Sequence, residues 1–562
     1  MFRHISGNRI KRTYREIDPE DVFLDSHNIP TFNTDQMEGH LERPLPSYFG
    51  YLVLITIFLV FSVFIGKLYS MQIKEADTYR ELADKNHLKS TPIFAHRGTI
   101  SDRKGEVLAW NDSAGGNHEI PERRYTKIPG FSNLLGYVSY PKKDVSGIFW
   151  QDTYIGRDGI EKAYNAILQG MTGEKIIAVN AAREIESENV IVDPIKGENI
   201  KLSIDGGVQA KLYERMQALS AKAGFTGGAA VIMDVHTGEI LALASFPEYD
   251  NNLITNATST EDRNRVAKDL VDKRGKFINR AISGLFTPGS TVKPFVAIAA
   301  LMEDVITPEK QIYSSGALVI KNKYGGPDTV FKDWKAHGYV DMREALSVSS
   351  DEYFYQVGGG YQTQKGLGIE KIHTYATMFG FGTTTGIDLP NEKFGTIPSP
   401  EWKKKTFGED WLVGNTYHTA IGQYGFQVTP LELTRAVASI ANGGYLVTPH
   451  LFLSLDVGSS SIGLQEQDLR VIREGMREGV LTGTAKALNL SGVTIAAKSG
   501  TAELGITKQL VNSWISGYFP YENPRYAFVV IMEKGDRHNP YGAVFVMRET
   551  LEWMRDNTDY TK

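Results

Sequence analysis

Apolar and polar residues alternate in three different ways along this chain. From Tyr48 to Ile65 the run YFGYLVLITIFLVFSVFI carries no charge, and Lys67 follows it. In a helix, about 18 such residues just cross a hydrocarbon core of roughly 30 Å, so one transmembrane helix is expected over residues 48–66. A cleaved signal peptide is the competing reading. It fits poorly, because the run begins only at residue 48 and no small-x-small cleavage site follows it. Arg9, Lys11, Arg12 and Arg15 favour a cytoplasmic arm, while Lys67 and Lys74 beyond the run weaken that bias. The arm, residues 1–47, mixes Asp, Glu, Asn, His and Pro without periodicity and is expected to be disordered.

Beyond the membrane, Leu68 to Leu88 has helical propensity and is expected to extend the helix outward. Short strand-like runs then alternate with Gly and Pro as far as Asn199, as at Arg97-Gly98-Thr99, Gly156-Arg157-Asp158-Gly159-Ile160-Glu161 and Gly170-Met171-Thr172-Gly173. Residues 67–199 are read as a mixed α/β spacer without catalytic function.

From Ile200 the pattern changes again. Gly228 to Val235 and Glu239 to Ala244 read as two apolar strands around the tight turn His236-Thr237-Gly238. Val493 to Ala497, Ser513 to Phe519 and Tyr526 to Met532 read as three more, and Arg548 to Met554 as a closing helix. Between the strand groups lies a mostly helical insert, with Pro294–Met302 and Pro430–Asn442 the clearest helices. The expectation for residues 200–562 is an α+β domain, an antiparallel sheet built from both ends with a helical lobe between.

Composition removes several function classes. A chain of 562 residues holds two or three domains. A net charge of −5 and a pI near 6.2 give no signature of nucleic-acid binding. Cysteine is absent, which excludes disulfides, zinc-thiolate sites and a cysteine nucleophile.

The candidate chemistry lies in three short motifs. Ser290-Thr291-Val292-Lys293 sets a hydroxyl and an amine one helical turn apart. Chance supplies roughly two S-x-x-K matches in a chain of this size, and Ser139-Tyr140-Pro141-Lys142 is one of them. Ser290 differs in context. The turn Thr287-Pro288-Gly289 precedes it and the apolar run Phe295–Leu301 follows, with Pro294 in the first turn, where its missing N–H is not needed. Lys293 can act as a base only if burial or a nearby cation lowers its proton affinity, and Lys498 is the expected cation. Asp341-Met342-Arg343-Glu344 is a capping-box pattern for a short helix ending near Ser349, whose hydroxyl can relay a proton or simply cap the helix. Lys498-Ser499-Gly500-Thr501 follows a predicted strand, where backbone N–H groups can face an acyl oxygen and lysine with a hydroxyl can hold a carboxylate.

On these motifs, with Arg97-Gly98, Gly156 to Tyr164, Ile421-Gly422-Gln423 and Thr429-Pro430-Leu431, the chain after residue 48 resembles the class B penicillin-binding proteins, monofunctional peptidoglycan D,D-transpeptidases. The resemblance implies the penicillin-binding and serine β-lactamase fold, with a five-stranded antiparallel sheet beyond a pedestal. It implies Ser290 as acylated nucleophile, Lys293 as its base, Ser349 as proton relay and Lys498 with Thr501 at the substrate carboxylate. The backbone N–H groups of Ser290 and Thr501 would form the oxyanion hole, with Ser499 and Gly500 completing that strand. No metal or other cofactor is implied. The implied partners are stem peptides ending in D-Ala-D-Ala, β-lactams and a polytopic membrane glycosyltransferase, with the chain in the bacterial inner membrane as a single-pass protein. Asp351 stands where the commoner S-x-N pattern has asparagine, and the S-x-D form resembles the elongation-type branch of penicillin-binding protein 2 more than the division-type branch. An ionised Asp351 would favour protonated lysine, so its part in proton transfer is open at this stage.

Other readings fit less well. A bifunctional enzyme would need a glycosyltransferase domain, for which residues 67–199 are too few. A β-lactamase would need an E-x-x-L-N segment to activate water, and none is evident. A non-catalytic β-lactam or cell-wall sensor, lacking a signalling module, would have to work through partners.

Overall fold

The computed structural model describes residues 47–78, 88–112, 120–145, 149–179, 185–323, 325–453, 455, 457–505 and 507–562. The expected disordered arm lies outside them apart from Ser47, as do residues 79–87 of the expected helical extension. The described residues divide into two units, residues 47–78 and the described residues from 88 to 562.

In the first unit, helix α1 (Ser47–Tyr69) passes into a wider turn over Ser70–Lys74. It is the one helix among the described residues long and apolar enough to cross a membrane. Two of its hydroxyls bond back to their own helix, Thr56 to the Leu52 carbonyl at 2.8 Å and Ser62 to the Phe58 carbonyl at 2.7 Å. A hydrocarbon solvent demands that kind of internal satisfaction. The predicted extension fails at its far end, because Leu88 opens a strand, Leu88–Ile93. That strand has a long-range partner, Gly173–Val179, which local helical propensity cannot register.

The second unit begins with the spacer. A four-stranded sheet runs in the order 200–201, 100–101, 107–112, 122–125, and a three-stranded sheet in the order 88–93, 173–179, 185–192. A buried charge cluster ties the spacer together. Arg97 Nε donates to Glu161 Oε2 at 2.6 Å and Arg123 Nε to Glu161 Oε1 at 2.7 Å, while Arg123 Nη1 reaches the Gly98 carbonyl at 2.9 Å. Burial alone would raise the Glu161 carboxyl, but the Arg123 and Arg97 guanidiniums outweigh it and hold it below the ordinary range.

The rest of the unit is built on strands β1 (Gly227–Asp234), β2 (Ile240–Phe246), β3 (Ala496–Leu504), β4 (Leu510–Phe519) and β5 (Tyr526–Asp536). Their order is β2-β1-β5-β4-β3, every pair antiparallel, as the expected sheet built from both ends requires. The helices that matter here are α2 (Gly206–Ala223), α3 (Lys293–Met302), α4 (Met342–Val348), α5 (Asp351–Gly359), α6 (Pro430–Ala441), α7 (Glu466–Leu481) and α8 (Ala543–Asn557). Successive strand residues point to opposite faces. Ala230, Ile232, Phe528 and Val530 therefore pack with Leu212 and Met216 of α2 and Met547 and Leu551 of α8. Ala229, Val231, Val529 and Ile531 face the other way, into the core that holds Leu433 and Val437 of α6 and Phe295 of α3. With both faces covered, every residue of β1 and β2 is buried, which is why they read as unbroken apolar runs.

The predicted strand Val493–Ala497 is displaced. Leu490 and Val493 bridge in a turn, and β3 starts at Ala496 and runs through the Lys498 motif to Leu504. Polar residues hid this strand because it lies at the sheet edge, where one side is not enclosed.

Candidate active site

Ser290 sits in a short 3-10 turn, Gly289–Val292, that leads straight into α3. The turn is pinned on three sides. Gly289 N–H donates to the Gly422 carbonyl at 3.0 Å, and Trp514 Nε1–H to the Thr287 carbonyl at 3.0 Å. On the third side the turn lies on β3. Gly289 has φ +56°, and a Cβ there would stand 2.8 Å from the Thr501 carbonyl oxygen. Gly500 is the reciprocal contact, since its Cβ would stand 2.8 Å from Thr291 Cγ2 and 3.0 Å from the Pro288 carbonyl oxygen. Glycine at both positions lets the nucleophile turn touch the strand backbone.

Lys293 is fully buried at the start of α3. Its ammonium donates to the Ser349 carbonyl at 2.8 Å, to Ser349 Oγ at 3.3 Å and to Asp351 Oδ1 at 2.6 Å. The predicted capping box over Asp341 and Glu344 starts α4, with both of its hydrogen bonds formed at 2.9 and 3.0 Å. Ser349 ends that helix at φ 60°, ψ 43°. A residue other than glycine in this left-handed region costs about 1–2 kcal/mol, and the arrangement turns the Ser349 carbonyl and hydroxyl to one cation. Ser350 then caps α5.

Asp333 is a supporting residue that motif reading missed. It is buried, and its Oδ2 accepts from Ser350 Oγ at 2.8 Å, from the Glu352 N–H at 2.9 Å and from Ser314 Oγ at 3.3 Å. It thereby anchors the start of α5, which carries Asp351. No spacing signal could have revealed it, because it comes from a separate hairpin connection. Trp334, next to it, donates its indole N–H to the Val348 carbonyl at 3.2 Å. Burial pulls the nearby His337 imidazole below its ordinary value against the opposing pull of Asp333.

On β3, Lys498 is buried, with Nζ donating to the Ser499 carbonyl at 3.0 Å. Burial, and then the charge of Lys293, depress the Lys498 amine well below its ordinary value, with Asp351 opposing. Asp351 Oδ1 lies 2.6 Å from Lys293 Nζ. Ser499 Oγ donates to Thr484 Oγ1 at 2.7 Å, and Thr501 is exposed. The three motifs therefore converge, with the Ser290 turn on Gly500 and Thr501, Lys293 on Ser349 and Asp351, and Lys498 within electrostatic reach of Lys293.

The chance match at Ser139 does not assemble. Ser139 Oγ accepts from Arg157 at 3.0 Å, and the Lys142 ammonium lies over the Trp150 ring. A cavity of about 410 Å³, lined by Asn133, Asp158, Phe277, Arg280 and Lys393 among others, includes none of the three motifs. No group of three or more His, Asp or Glu side chains among the described residues is placed to hold a metal ion.

A serine one turn from a buried lysine, a second hydroxyl on that lysine, and an edge strand carrying another buried lysine define a serine acyltransferase of the penicillin-binding type. The chain belongs to that family. The penicillin binding protein transpeptidase domain matches residues 228–545, and the penicillin-binding protein dimerisation domain matches residues 118–202. The chain is similar to the peptidoglycan D,D-transpeptidase MrdA of Haemophilus influenzae, 29% identical over 90% of this chain and 91% of that protein. Among solved structures it is similar to penicillin-binding protein 2 of Helicobacter pylori in complex with MreC, with TM-score 0.69, 28% identity, and coverage of 84% of this chain and 99% of that one. It is also similar to a chain of a peptidoglycan synthase complex that coordinates polymerization and crosslinking, with TM-score 0.71, 25% identity, and coverage of 91% and 99%.

Proposed function

We propose that this chain is a peptidoglycan D,D-transpeptidase of the elongation type, which crosslinks stem peptides through an acyl-enzyme on Ser290. One observation carries the reading: Lys293 is buried one turn from Ser290 and shared between Ser349 and Asp351, beside a second buried amine at Lys498. Two amines packed near one carboxylate hold their second proton weakly, so the pair has room for the proton that Ser290 must lose.

In the first step Ser290 Oγ attacks the carbonyl carbon of the penultimate D-alanine in a donor peptide, and its proton passes to the lysine pair. The N–H groups of Ser290 and Thr501 receive the oxyanion. The C–N bond to the terminal D-alanine then breaks, and its amine takes a proton through the Ser349 hydroxyl, 3.3 Å from Lys293 Nζ. In the second step an acceptor amine attacks the ester, loses its proton by the same route, and returns the proton to Ser290. Ser499 and Thr501 hold the terminal carboxylate, with Lys498 beside them. As the edge strand of the sheet, β3 can pair with the extended donor peptide.

Residues 48–66 anchor the protein in the inner membrane, 67–199 form the pedestal and 200–562 the catalytic domain outside the cytoplasm, with residues 1–47 as a cytoplasmic arm. Partners are stem peptides ending in D-Ala-D-Ala, β-lactams as their mimics, and a polytopic glycosyltransferase. The likeness to the synthase-complex chain supports a place among partners in a peptidoglycan-synthesising assembly.

Labelling the full chain with a fluorescent penicillin, followed by intact mass and peptide mapping, tests the assignment. One adduct on Ser290 is expected, with Ser290→Ala unlabelled and unable to crosslink. A label on another residue, or crosslinking by Ser290→Ala at the wild-type rate, would sink it.

A further inference from the structure

The turn after α7 touches the Lys498 motif and the end of α4, the helix that leads into Ser349. Gly483 N–H donates to the Glu478 carbonyl at 3.2 Å and Ala485 N–H to the Gly479 carbonyl at 2.9 Å, which holds the turn against the helix end. Between them, Thr484 N–H donates to the carbonyl of Ser347 at 3.1 Å, two residues before Ser349. The Thr484 side chain is exposed at its place beside β3, where Oγ1 accepts from Ser499 Oγ at 2.7 Å and makes only a long contact, 3.4 Å, to the Ser347 carbonyl.

A hydroxyl has one proton to give and can accept two. A carboxylate can only accept. With Ser499 donating to Thr484, the proton that should face a substrate carboxylate is spent on a neighbour. When Ser499 turns that proton to the substrate, two oxygens 2.7 Å apart are left with no proton between them unless Thr484 supplies one. Thr484 can supply it at little loss, because its own hydroxyl proton is held only by the long contact to Ser347, whose carbonyl keeps the Thr484 N–H. The chain of hydroxyls then runs Thr484 to Ser499 to carboxylate, each bond polarising the next.

We propose that Thr484 is a positioning residue for substrate recognition, one that reverses its hydrogen bond with Ser499 when a carboxylate-bearing substrate binds and so sets selectivity for a free C-terminal carboxylate. This rests on the reading above that Ser499 and Thr501 hold that carboxylate. Thr484 touches Ser499 and not the reacting atoms, so it acts through Ser499 alone.

The test measures the second-order rate of acylation of the full chain in detergent by benzylpenicillin and by its methyl ester, which lacks the carboxylate charge. Thr484→Val keeps the shape and the backbone N–H. It is expected to slow benzylpenicillin about ten-fold while leaving the ester within roughly two-fold of wild type, as loss of one hydroxyl–hydroxyl hydrogen bond in the chain to the carboxylate predicts. Thr484→Ser is expected to behave as wild type with both. Equal slowing of both compounds by Thr484→Val, or slowing of neither, overturns the inference. Ser499→Ala separates the two levels of the argument. If it also slows both compounds equally, the carboxylate assignment at Ser499 fails. If it discriminates and Thr484→Val does not, only the role of Thr484 fails.

Discussion

Replacing Lys498 by methionine is expected to make the protein more stable and chemically inert. Lys498 is 1% exposed, and its described hydrogen bond is to the Ser499 carbonyl. Burial comes first and the charge of Lys293 second among the causes that depress its proton affinity. In the unfolded chain the same amine titrates near its ordinary value of about 10.4. Between the folded value and that one, the unfolded state binds the extra proton, so folding stability rises with pH through the window and is lowest below it. Methionine has nearly the same length, fills the same space and binds no proton. Replacing buried charges by apolar groups of similar volume is worth about 1–4 kcal/mol in stability. At about 2–4 °C per kcal/mol, that is a rise of a few degrees in Tm. The gain should be largest near pH 6.5 and shrink as pH approaches 10. Thermal unfolding of the full chain in detergent across this range measures the effect, and fluorescent penicillin reports the loss of acylation. A Lys498→Met protein that melts below wild type at pH 6.5, or a difference in Tm that does not change with pH, would refute the reasoning.

Two further predictions follow from burial and backbone geometry. Glu161→Gln leaves Arg97 and Arg123 buried without a counter-charge and should cost about 3–5 kcal/mol, seen as a lower Tm and faster proteolysis of the spacer; an unchanged Tm would mean that solvent reaches the cluster. Ser349→Gly and Ser349→Ala both remove the hydroxyl and should slow crosslinking by roughly a hundred-fold or more. Only the glycine relieves the left-handed backbone, so Ser349→Gly should melt above Ser349→Ala by about 1 kcal/mol of stability, and the reverse order would show that φ 60° is not strained there.

Much of the fold was legible because it is encoded over a few residues. The capping box at Asp341 with Glu344 formed as its spacing requires, and Pro430 occupies the first turn of α6. The unbroken runs of β1 and β2 announced strands covered on both faces. The edge strand β3 was misplaced because its polar residues suit one open side and carry no hydrophobic period. Likewise, the helix expected to reach Leu88 gave way to a strand whose partner lies 90 residues along the chain in the pairing of Leu88 with Ala178.

The site divides along the same line. Ser290, Lys293, Ser349 and Lys498 could be picked out from sequence because one-turn spacing and helix or strand context are local properties. The depression of the Lys498 amine was not local. That depended on the burial of both amines and on Asp351 reaching Lys293 at 2.6 Å, a matter of how α3, α5 and β3 meet. Asp333 under α5 and Thr484 beside Ser499 were equally out of reach, since each belongs to a turn whose only tie to the motifs is contact in space. By itself the sequence determined which groups could react; tertiary packing decided their charges and their hydrogen-bond order, because desolvation and Coulomb energies depend on neighbours far away in the chain.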